Sequence, residues 1–148
     1  MIDPSRVLRV GAVRLGLAAT AFANDNYDGA GRFTRTATLA NYLNNENLSD
    51  ETVSEIVAAT RNGRTLVYTD GELDAIGLVD ISDPYDPKPD GKVDVGGEPT
   101  SVDVLGNELA LVAVNTSESL TDTSGELVVV DIRTRQLIGS VELSGQPD

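Results

Sequence analysis

"GLVDISDPYDPKPDGKVDVGGEPTSVDV", residues 77–104, begins as an aliphatic run, stops at Asp80, and sets three prolines and three more aspartates into the next ten residues. A strand pattern resumes at Lys92, and a Gly-Gly step leads to another at Thr100. Strand, stiff turn, strand, glycine step and strand again make an antiparallel meander. Proline and glycine punctuate it, while β-branched residues fill a pleated, half-buried surface. The acidic, proline-studded turn admits a second reading, as a cation site, and the choice decides where any chemistry would lie.

The stretch has a counterpart further on. "AIGLVDIS" (75–82) aligns with "ELVVVDIR" (126–133), "ETVSEIVAAT" (51–60) with "EPTSVDVLGN" (98–107), and "GKVDVGGEPT" (91–100) with "GSVELSGQPD" (139–148), at offsets of 51, 47 and 48 residues. The longest offset falls where "VNTSESLTDTSGE" (114–126) stands against the shorter "TDGELDA" (69–75), as a loop insertion would produce. A period near 50 belongs to the propeller architectures, in which each repeat is one four-stranded blade. The sequence therefore predicts an all-β fold of antiparallel four-stranded β-propeller blades, with about two blades present, an incomplete propeller. The units run over 51–97 and 98–148, the second reaching the start of a third at "SGQPD". Strands are expected at 55–59, 65–68, 75–81 and 92–95, then at 100–104, 109–114, 126–132 and 136–143. "RNGR" (61–64) and "LGNE" (105–108) mark matching hairpins, since Asn and Gly tolerate the positive φ of tight turns. Residues 49–60 also carry Val53, Ile56 and Val57 at helical spacing behind Ser49. Their partner in the repeat contains Pro99 and alternates as a strand, so the strand is preferred.

Composition closes several functional classes. The 148 residues contain no Cys and no His, which removes disulfides, thiolate zinc sites, Ser-His-Asp triads and a histidine base. A net charge of -13 argues against nucleic acid, whose phosphates need clustered Lys and Arg. Only 4% of residues are aromatic, so the core is expected to be Val, Leu, Ile and Ala.

The amino terminus reads as an export signal over 1–23. Arg6, Arg9 and Arg14 precede the short apolar run 15–22, and Ala21-Phe22-Ala23 offers a small-x-small cleavage site before Asn24. The run is too short for a transmembrane anchor. A secreted, periplasmic or cell-surface location is the expectation. Residues 24–50 are polar and Asn-rich; "RFTRTATL" (32–39) is offered as one strand of another blade, and "NYLNNENLSD" (41–50) as a loop.

In the acidic turn, Asp80 stands where Asp131 stands in the second unit, and either can cap its turn by accepting backbone N–H bonds from two or three residues ahead. The cation reading would take Asp83, Asp86 and Asp90 as metal ligands for Ca2+, with Gly91 permitting a sharp bend. The spacing does not match an EF-hand loop, and the turn reading is preferred. A second acidic loop holds Glu118, Asp122 and Glu126. Propeller ligands sit at the channel mouth, which nominates Glu55, Glu98, Ser101 and Asp103.

The stretch 77–104 resembles the LVIVD-type repeat of secreted bacterial β-propellers, in which "VDISDP…P…G" and a Gly-rich step recur once per blade; "GELVVVDIRTRQLIGSVELSGQPD" (125–148) is similar to a related repeat. Residues 51–84 also resemble exported phytase-like esterase, alkaline-phosphatase-like and choice-of-anchor surface proteins. The resemblance implies a propeller and export. It places no catalytic residue, because repeat motifs specify strands and turns. Two functions are expected, the first from the absence of His, Cys and any nucleophile motif together with the repeat content, the second from the phytase-like resemblance. One is a non-catalytic segment for binding or surface scaffolding, from a longer protein, with a protein, glycan or phosphorylated ligand as partner and self-association through open blade edges. The other is a calcium-dependent phosphoesterase. Asp80, Asp83, Asp86, Asp90, Asp103 and Asp131 would supply its carboxylates, and Arg61, Arg64, Lys88 and Lys92 its phosphate contacts.

Overall fold

The computed structural model describes residues 34–147. Eight strands follow in chain order: β1 Ser54–Ala59, β2 Thr65–Asp70, β3 Ala75–Asp80, β4 Lys88–Asp94, β5 Glu98–Leu105, β6 Leu109–Asn115, β7 Gly125–Asp131 and β8 Gln136–Leu143. They form two four-stranded antiparallel sheets, β1-β2-β3-β4 and β5-β6-β7-β8, each a simple meander. The fold is all-β, and the sheets are neighbouring propeller blades. The expected signal at 1–23 and residues 24–33 lie outside the described residues. Among the described residues, no helix is long and apolar enough to cross a membrane.

The two meanders share their register. Thr65 faces Asp80 across β2–β3, and Leu109 faces Asp131 across β6–β7. Past each pair the ladder gains one more bond, Ile81 N–H to Arg64 O and Ile132 N–H to Glu108 O, both 2.8 Å. The first hairpin of each sheet turns on a glycine in the left-handed region, Gly63 at φ 66° and Gly106 at φ 69°. These two hairpin tips are also joined to each other. Arg61 N–H donates to Gly106 O and Asn62 N–H to the Asn107 side-chain oxygen, each at 2.8 Å.

Between the sheets lies one aliphatic seam. Val67, Ile76, Leu78 and Val93 come from the first sheet, and Val102, Ala110, Val112, Val128 and Val130 from the second; all are buried. Period-2 alternation places these residues on one face of each strand. The seam holds no aromatic ring, as the composition foretells. The fully buried Ile76 and Leu78 are its largest members.

Three expectations need correction. Residues 34–39 form no strand. A lone strand would leave its N–H and C=O groups unpaired, and this segment instead crosses the outward face of the first sheet, where the Thr36 hydroxyl donates to Pro84 O at 3.0 Å. The expected loop 41–50 begins with a 3-10 turn, Asn41–Asn44, which buries Asn44. The fourth strand starts at Lys88 rather than Lys92, so Pro89 sits inside it opposite Val79. β4 ends its sheet, and a proline there removes no bond that a further strand would need. Residues 144–147 begin no further strand.

Truncating Ile76 to Ala leaves a void in the seam that neighbours on two sheets cannot close. We expect a loss of about 2–5 kcal/mol of unfolding free energy in urea titration. Val141→Ala, on an outward face and 63% exposed, is expected to change it by less than about 0.5 kcal/mol.

Candidate functional site

The acidic turn is held by its own aspartates. The Asp80 carboxylate accepts from Ser82 N–H at 2.8 Å, two residues ahead, and Asp131 accepts from Thr134 N–H at 2.7 Å, three ahead. Both carboxyls are held below their ordinary value. For Asp80 the chief cause is the Ser82 side-chain hydrogen bond, followed by its backbone N–H; for Asp131 it is the Thr134 backbone N–H. Donors aimed at a carboxylate favour its charged form.

The three candidate metal ligands do not converge. Asp83 accepts from Tyr85 N–H at 3.0 Å, and Asp86 pairs with Lys88 at 2.6 Å on the exposed surface. Asp90 pairs with Arg135, which reaches across from the β7–β8 turn. That turn puts Arg135 in the left-handed region at φ 58°, where its N–H donates to Asp131 O at 2.8 Å. The sequence-matched aspartate of the second sheet thus aims the arginine that engages Asp90 of the first. Glu118, Asp122 and Glu126 are likewise not gathered. Ser and Thr hydroxyls close their loop: Ser117 Oγ donates to Ser124 O at 3.1 Å, Thr116 and Ser124 hydroxyls meet at 2.9 Å, and Glu126 sits on β7 opposite Val114. Among the described residues, no three acidic side chains form a ligand set for a metal ion.

The channel-mouth candidates split between two strands. Glu55 is exposed on β1, while Glu98, Ser101 and Asp103 lie on β5. Glu98 accepts from the Asn115 amide at 3.2 Å, and Asp103 accepts from Val104 N–H at 2.8 Å. Ser101 faces Ala113 and Asp103 faces Leu111 across the β5–β6 pair, which sets both on the outward face of the second sheet.

Two polar residues that sequence reasoning passed over organise the first sheet. Asp70 is fully buried at the end of β2. It accepts from the Thr52 hydroxyl and from Val53 N–H (3.1 Å), with Lys92 Nζ 3.9 Å away. A buried carboxylate needs such partners, and these tie the approach to β1 and the strand β4 to one atom group. Asn44 is the second. Its amide donates to Leu78 O at 2.9 Å and to the Tyr68 hydroxyl at 3.1 Å, and its oxygen accepts from Gly91 N–H at 2.7 Å. Tyr68 in turn lies over Gly77, where a β-carbon would fall 2.0 Å from the ring. Burial pushes the phenol above its ordinary value, partly countered by the Asn44 bond, so the hydroxyl stays neutral. No pattern marks these residues, because a polar position becomes a buried hub only when distant strands meet on it.

Beside Tyr68 is a cavity of about 450 Å3 between the 34–41 segment and the outward face of the first sheet. Its floor includes Val57, Leu66 and Val79, with Leu39 and Pro84 as walls, and Asn41, Ser54 and Tyr68 supply polar groups. Such a lining suits binding of apolar groups, and it holds neither a nucleophile–base pair nor a carboxylate pair.

No protein-family model matches the chain, and no curated protein matches it. Among solved structures, hydrazine synthase from Kuenenia stuttgartiensis is similar, with a TM-score of 0.52 and 21% identity over 63% of this chain. The aligned part spans 24% of that chain. At this identity the likeness shows the fold alone.

Because Asp80 and Asp131 have folded values below their unfolded ones, the stability they supply is present above the ordinary carboxylate range and is lost as pH falls through the folded values. The urea midpoint of Asp131→Ala is therefore expected below wild type at neutral pH. The gap should narrow as the titrations are taken down to about pH 3.

Proposed function

We propose that the chain is a segment of an exported β-propeller of the LVIVD-repeat type that acts in binding or surface scaffolding rather than in catalysis. The observation that carries this is the pair of face-packed four-stranded meanders with matching registers. It fits the 47–51-residue sequence period, as expected for repeat blades built to stack. The aspartates a phosphoesterase would need are engaged in turns and ion pairs, which favours binding over hydrolysis. Export rests on the 1–23 pattern, and a strongly acidic surface suits a soluble exported module.

Two measurements test the proposal. Expressed with its natural amino terminus in a bacterium, the chain is expected in the periplasm or medium with Asn24 as its first residue; full-length protein retained in the cytoplasm would overturn the export reading. A calcium site occupied at 100 times its Kd would add about 2.7 kcal/mol to stability. The melting temperature is expected to stay put on adding millimolar calcium, with no hydrolysis of a generic phosphomonoester. A rise with turnover would establish the phosphoesterase instead.

A further inference from the structure

The seam between the sheets is not symmetric: it joins two different kinds of face. Aligning the meanders on Asp80 and Asp131 sets Val67, Ile76 and Leu78 in the places of Leu111, Leu127 and Val129. The same alignment sets Leu66, Tyr68 and Val79 in the places of Ala110, Val112 and Val130. In the seam, the first set of the first sheet meets the second set of the second sheet. The described residues therefore present one further face of each kind. On the second sheet, Leu111, Ala113, Leu127 and Val129 look outward and are only partly buried, and Val141 beside them is exposed. Among the described residues nothing packs on this face. On the first sheet, the Leu66, Tyr68 and Val79 face lies under residues 34–50.

That cover fits imperfectly. It has no strand, it leaves the 450 Å3 cavity, and it is fastened chiefly by the three hydrogen bonds of Asn44. The equivalent face of the second sheet, Ala110, Val112 and Val130, is instead covered by the first sheet and fully buried. Resting on the reading that the sheets are blades of one repeat, we propose that copies of this chain associate head to tail. The outward face of β5–β8 of one copy seats on the outward face of β1–β4 of the next, and residues 34–50 are the displaceable cover that restrains this. The new contact repeats, position for position, the one already made within the chain. Contacts of this head-to-tail kind extend beyond two copies into rings or filaments, unlike a two-fold dimer. The charge of -13 on every copy opposes the approach, so salt should strengthen it.

Sedimentation of the full chain over a concentration series, at low and high salt, tests the proposal. Asn44→Ala is expected to self-associate at least tenfold more tightly than wild type and to exceed the dimer mass. Adding Val129→Lys to it should return the monomer. A folded Asn44→Ala chain that stays monomeric, or an association that survives Val129→Lys, would overturn the proposal, as would a species that stops at two. If circular dichroism shows Asn44→Ala unfolded, the wild-type chain decides. Association at about 1 mM in high salt that Val129→Lys abolishes upholds the proposal, and a plain monomer there overturns it. Failure of this test leaves the export and binding reading standing, since that reading has its own assays.

Discussion

The aliphatic seam between the two sheets is the contact on which everything else rests. A four-stranded meander has apolar surface it must bury, and it cannot do so alone. Here the partner is the next meander, and side chains no larger than Ile and Leu interdigitate across the gap. Apolar contact of this sort is strong but gives little direction. Two polar pins supply the direction. The hairpin tips at Gly63 and Gly106 are hydrogen-bonded at the first two strands, and Asp90–Arg135 joins the two sheets farther along. Between them the sheets are held from sliding.

The same physics explains the segment before β1. The outward face of the first sheet is apolar enough to need covering, with Tyr68 lying flat over Gly77. Residues 34–50 provide the cover with few apolar side chains, so the fastening falls to Asn44, whose amide satisfies a carbonyl, a hydroxyl and an N–H at once. A buried amide with all these partners adds specificity; with one missing it would be a liability. The Asn45 side-chain oxygen nearby is buried without a partner, which agrees with a cover less well fitted than a sheet.

The opening stretch illustrates how far residues alone could be read. Its prolines and its Asp80 spelled a turn, and the Asp80 carboxylate does receive Ser82 N–H. The hairpin glycines were equally plain, because positive φ is a local property and glycine is its usual bearer. Strand positions followed from alternation and β-branching, and seven of the eight lie within two residues of expectation at both ends. The early start of β4 was hidden because Pro89 reads as a breaker, and only a sheet edge makes it harmless.

What the sequence determined by itself was whatever depends on neighbours along the chain: the meander, its turns and the aliphatic core. Tertiary structure alone decided where side chains remote in sequence would meet. Asp90 became the partner of Arg135, Asp70 a buried tie, and Asn44 a latch. Each of these roles is set by a residue 17 to 47 positions away, a distance at which sequence pattern carries no signal and only the packing of sheets brings the groups into reach.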